Sequence, residues 1–170
     1  MRVSANLTTA VVSTCVDHFF THLYSTWPIL CRREIEQAVS CMDRSPEAFC
    51  EISSLCACVL FQPNATLLLD EQLPKDQLAL LLLNEAVRVR KDYDFFENPT
   101  VVAVRTSFFI FVCSGFYHDR QKSAWAYLRE ATTLAHIVGL PDESTYISND
   151  SRENGQRRRL FWVLFTMERW

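Results

Sequence analysis

The side chains of this 170-residue sequence that could do chemistry are four histidines, seven cysteines and a scatter of carboxylates. His18 and His22 stand one helical turn apart, the spacing at which two imidazoles grip one metal ion from the same face. No third ligand accompanies them, so two surface histidines near a helix end are the better reading. Cys56 and Cys58, with Cys41 and Cys50 upstream, suggest a redox sensor. Yet their single-residue gap is too tight for a zinc pair, and on a helix the two thiols diverge. Buried cysteine usually serves as a small apolar residue. Asp92 and Asp94 flank Tyr93 without a third acid, so no acidic diphosphate-binding run exists. Three glycines cannot build a phosphate loop, and neither a nucleophile elbow nor a paired-histidine zinc helix is present. The sequence argues against an enzyme.

One charge stands out. Arg105 interrupts the otherwise apolar stretch Val101 to Phe116. A buried guanidinium needs a carboxylate partner or a route to water. Pairing or snorkelling is the first expectation, and an effector-pocket contact the second.

The elements that must position these residues are helices. Apolar residues make up 49% of the chain, too many for disorder, while glycine and proline, at 3 and 6, are too few for a loop-rich fold. The net charge of −3 excludes an electrostatic nucleic-acid binder. The odd cysteine count and the lack of a convincing signal peptide point to free, mostly buried thiols in a reducing compartment. No stretch is long and apolar enough to span a bilayer.

Apolar periodicity predicts helices over residues 11–25, 32–43, 46–61, 74 to about 96, 99–117, 122–138 and from about 153 onward. Ser45-Pro46-Glu47 is a start signal. Pro63 to Thr66 reads as a loop. Leu82, Ala86, Val89, Tyr93 and Phe96 form an inner stripe that leaves Arg90 outside. Gly139 sits where a left-handed C-terminal residue belongs, and Pro141 blocks continuation. Residues 142–156 read as a polar surface loop. The fold class expected is all-α, an antiparallel bundle of about seven helices.

Two blocks then carry a resemblance: "SAWAYLREATTLAHIVGLPDESTY", residues 123–146, and the closing "RRRLFWVLFTMERW", residues 157–170. Together, across a polar loop, they resemble the fungal-specific transcription factor domain, the middle homology region of fungal Zn2Cys6 zinc-cluster transcription factors. The matching positions are Trp125, Ala131, Leu134, Ala135, Gly139 and Leu140, then Arg157, Arg158, Leu160, Phe161, Trp162, Glu168 and Arg169. The opening "FFTHLYSTWPILCRREI", residues 19–35, is similar to regulators of sugar utilisation.

The resemblance implies a nuclear, regulatory domain that modulates transcription by RNA polymerase II through an effector or partner. It implies no cofactor in this chain, since the zinc belongs to the family's separate DNA-binding module. The cysteine spacing here does not fit that module, so DNA is a partner only through a part the chain lacks. Pairing with related regulators and a small-molecule effector are further expected partners. The family's helical domain runs on past the arginine-aromatic motif, so a domain cut at its C-terminus is expected. The motif itself reads as architectural: carboxylates or carbonyls of neighbouring helices should hold the arginines, Phe161, Trp162 and Phe165 should enter the core, and Glu168 and Arg169 should close polar contacts inside the bundle. Two rivals stand beside it. A tetratricopeptide-like scaffold lacks any recurring period near 34 residues. A metabolite-binding bundle would line its pocket with Arg105 and the histidines.

Overall fold

The structure, a computed structural model, describes residues 7–63, 73–93, 95–116, 120–146 and 151–169. The expected loop at 64–66, Asp94 and His118 lie outside these. The described residues form seven α-helices and no strand: α1 (Thr9–His18), continued by a π-helical turn (Phe19–Leu23), α2 (Arg32–Cys41), α3 (Pro46–Leu60), α4 (Lys75–Lys91), α5 (Val101–Gly115), α6 (Gln121–Ile137), a 3-10 turn (Glu143–Tyr146) and α7 (Ser151–Met167).

Local chemistry sets the ends. Ser45 Oγ accepts from Ala48 N at 3.2 Å and Pro46 occupies the first turn of α3. Thr100 caps α5 in the same way through Ala103 N at 3.0 Å, satisfying an amide that would otherwise lack a partner. Gly139 takes a φ of 73° and ends α6. The amides of Leu140 and Gly139 fold back onto the carbonyls of Ala135 (2.9 Å) and His136 (3.0 Å), a Schellman closure.

α3 and α5 form the centre. α3 is buried from Ala48 to Leu60 and α5 from Ala103 to Ile110. α5 packs between α3 and α6, while α3 also meets α1, α2 and α4. Phe108 and Phe109 of α5 make edge-on ring contacts with Trp27 (5.7 Å) and Phe19 (6.0 Å), the geometry aromatic quadrupoles favour. All seven cysteines are free, and five of them are buried. The Cys56 thiol meets Cys15 on α1, whereas Cys113 on α5 meets Cys58, so the two α3 thiols do diverge. Burial pushes the Cys50 thiol up to about 12.

Four expectations change. The first helix stays α-helical only to His18, then widens into a π-helical turn. The stripe of α4 stops at Val89, because the chain leaves the helix at Asp92 (φ −90°, ψ 0°). Beyond that break the periodicity no longer applies: Phe95 is buried and Phe96 is half exposed. Arg90, expected outside, is buried. Finally, α7 begins at Ser151 within the expected loop.

Gly139 carries the sharpest backbone requirement. A Cβ there would lie 2.8 Å from Thr145 Cγ2, on top of the left-handed φ. Gly139→Ala should therefore cost about 2 kcal/mol, seen as a lower urea midpoint with an unchanged slope.

Candidate functional site

Arg105 sits in mid-α5 with only 5% of its surface exposed. Its Nε donates to Glu51 Oε1 of α3 at 2.7 Å, and its Nη1 donates to Glu34 Oε2 of α2 at 3.0 Å. Gln156 of α7, with its amide nitrogen turned toward Glu34 Oε1 (2.9 Å), accepts from Cys31 N through its oxygen (2.9 Å). Three helices thus meet at one guanidinium, and α7 joins them through Glu34. The expected carboxylate pairing is what the structure contains.

This network floors a cleft of about 380 Å³. Glu47 lines it too, its carboxylate accepting from the Thr100 hydroxyl. Arg157 and Leu160 of α7 form part of its wall. Burial raises the Glu51 pKa; Arg105 pulls it back, and Glu34 and Glu47 push it further up. Arg105 loses solvation on burial, but the ionised Glu51 and Glu34 outweigh that loss and raise its pKa.

A second buried arginine lies across α5. Arg90 of α4 stands 2.7 Å from Glu130 of α6, donates to Ser107 Oγ at 2.6 Å and lies over the Phe95 ring at 3.8 Å. Ser107 in turn donates to Glu130 at 2.8 Å. The charge run 88–94 gave no hint of this, because Arg90 looks like one of several surface cations.

The arginine motif is held as expected, by different groups. Arg157 donates to the Val138 carbonyl at the end of α6 (3.0 Å). Arg158 forms a two-pronged pair with Glu143 (3.0 and 2.6 Å) and stacks on Tyr146. Arg159 reaches the Pro28 carbonyl (2.7 Å). Since α7 starts at Ser151, these cations sit past its first turn, where the helix dipole no longer opposes them.

Ala131, Leu134, Ala135, Leu140 and Leu160 are buried. Trp125 is 53% exposed and Trp162 is 58% exposed. The expected burial of Trp162 is therefore wrong, and Phe161 and Phe165 are only partly covered. The reason is periodicity: Gln156, Leu160 and Leu164 recur every four residues on the inner face, and Trp162, two positions from Leu160, points away. Glu168 and Arg169 also stay outside the core. Glu168 pairs with exposed Arg129 at 3.1 Å, and Arg169 covers the Phe165 ring at 4.1 Å.

The His18 and His22 rings lie 4.5 Å apart. Among the described residues no group of three potential ligands gathers around a metal position, and no helix is long and apolar enough to cross a membrane.

Residues 16–170 match the fungal specific transcription factor domain. The chain is 31% identical over 160 residues to the "Probable sucrose utilization protein SUC1" of Candida albicans, a match covering 91% of this chain and 30% of that protein. The chain thus spans about a third of its curated relative's length. No solved structure matches.

Two outcomes follow from the geometry. Trp162→Ala should cost under about 1 kcal/mol, whereas Leu160→Ala should cost about 2–5 kcal/mol in urea unfolding; equal losses would contradict the helix register. A carboxyl whose pKa is raised by folding binds its proton more tightly in the folded state, so its contribution is full at low pH. It is lost as pH rises from the ordinary glutamate value through the raised Glu51 value. The parent should lose stability relative to Glu51→Gln, whose amide does not titrate, as pH rises across that window, and a parent that gains on the variant there would refute the assignment.

Proposed function

The chain belongs to the fungal specific transcription factor domain family, and from that premise we propose that it is the regulatory, non-catalytic part of a nuclear regulator of sugar utilisation. It modulates transcription by RNA polymerase II by binding an effector or partner. The single observation that carries this reading is the match over residues 16–170, joined to the relative named for sucrose utilisation. The cleft over Arg105, lined from four helices, supplies a place for such an effector. In this reading DNA contact and zinc belong to a separate zinc-cluster module, and pairing with related regulators is open to it. Arg105 is the effector-pocket residue, acting through the carboxylates it orders.

A reporter experiment tests this. The chain is placed between a heterologous DNA-binding module and an activation segment. Reporter output should change at least severalfold with sugar supply, and Glu47→Gln in the cleft should blunt the response while protein level holds. Output indifferent to the presence of the chain would sink the proposal.

A further inference from the structure

We propose that the buried cysteines form two redox modification sites, Cys15 with Cys56 and Cys58 with Cys113, at which hydrogen peroxide converts each thiol pair to a disulfide and staples α3 to α1 and to α5. These sites are independent of any effector in the cleft. Cys56 and Cys58 stand two residues apart on α3, so their side chains point nearly opposite ways. Each meets one thiol of a neighbouring helix: the Cys56 and Cys15 thiols hydrogen-bond one another, and so do those of Cys113 and Cys58. Contacts with the backbone place the same sulfurs. Cys15 Sγ lies 4.0 Å from the Cys56 carbonyl oxygen. Cys113 Sγ lies 3.8 Å from that of Ser54, one turn before Cys58 on the same face. All four residues are fully buried. A disulfide needs neighbouring backbones whose side chains point at each other. α1 and α5 both pack on α3, and thiols in contact meet the second need. Cys50 instead donates to the Ala86 carbonyl and Cys41 to that of Ala38.

In the closed fold these thiols react slowly. The bond to Cys15 and burial raise the Cys56 pKa, while burial and the bond to Cys58 raise that of Cys113. The thiolate, which is the nucleophile, is then scarce. Local opening restores water and ordinary acidity. One thiolate attacks the peroxide: an S–O bond forms, the O–O bond breaks, and the departing hydroxide takes up the thiol's proton and leaves as water. Reclosure returns the sulfenic acid to its partner thiol. The partner sulfur forms the S–S bond, the S–O bond breaks, and the second thiol's proton leaves with that hydroxide as water. Two thiols and one peroxide thus give one disulfide and two waters. Glu51 and Arg105 sit on α3 and α5, so the second staple also ties together the two helices that carry the buried ion pair.

Peptide mapping of the full chain tests these sites. The folded protein is treated with hydrogen peroxide, alkylated in urea and cut with trypsin without reductant. Cys15, Cys56 with Cys58, and Cys113 fall in separate peptides, residues 3–32, 45–75 and 106–120. A species of three joined peptides is expected, lighter by two hydrogens per bond, with fragment ions assigning Cys15 to Cys56 and Cys113 to Cys58. It should form more slowly than the free thiols of the partly exposed Cys31 and Cys41 disappear. Cys15→Ala should remove the first bond and keep the second, and Cys113→Ala the reverse, each with parent-like helix by circular dichroism. The urea midpoint of the bonded chain should rise, and fall back with dithiothreitol, because cross-links restrict the unfolded chain. Four thiols still free long after Cys31 and Cys41 have reacted overturn the proposal. The same mixture of pairings in chain oxidised in urea as in folded chain overturns it too. One bond without the other removes the missing pair, and a lowered midpoint shows that the fold does not accept the staples.

Discussion

A guanidinium taken out of water must bring its partners with it. Arg105 is buried in the most apolar of the described helices, and its partners Glu34 and Glu51 come from α2 and α3. Gln156 of α7 then fixes Glu34. Apolar packing alone would let these helices slide by a turn at modest cost. An unpaired buried charge would not, since losing one partner of such a pair costs about 3–5 kcal/mol. The network adds little net stability over an apolar core of the same shape. What it contributes is a single permitted register for four helices.

The same device acts on the opposite side of α5. Residues two apart on a helix face nearly opposite directions. Arg105 accordingly meets α2 and α3, while Ser107 meets Arg90 of α4 and Glu130 of α6. Burial lowers the Arg90 pKa and Glu130 opposes that loss, the balance expected of a desolvated but paired cation. α5 is thus pinned on both faces by polar contacts set into an apolar helix. Its aromatic residues fill the space between, and no choice of those residues alone would fix how the helix is rotated.

Much of the fold was legible because local chemistry and periodicity agree. Ser45-Pro46 and Gly139-Leu140 mark helix ends through backbone hydrogen-bond needs, and the structure meets those needs at those residues. Arg105 was legible as a charge in need of a partner. The identity of the partners was not, because Glu34 and Glu51 lie 71 and 54 residues away in sequence, and nothing local distinguishes them from surface acids. Trp162 shows the opposite failure. A run of apolar residues reads as core, yet a helix with one neighbouring face buries only every third or fourth position. Composition pointed inward where geometry points out.

The arginine motif and the cleft share side chains. Arg157 ties α7 to the carbonyl that ends α6 and lines the cleft, and Gln156 holds the Glu34–Arg105 pair from the same helix. Arg158 and Arg159 anchor α7 further, to Glu143 and to the Pro28 carbonyl. A molecule in the cleft can shift α7 only by contacting it differently in two arrangements. Gln156, Arg157 and Leu160 are where such a difference can arise, since they belong both to the cleft wall and to the helix. α7 packs on α5 and α6 through the buried Leu160 and Leu164 as well as through these arginine bonds. The cleft wall and the motif helix therefore share residues, and the contacts that anchor α7 to the bundle also shape the cleft.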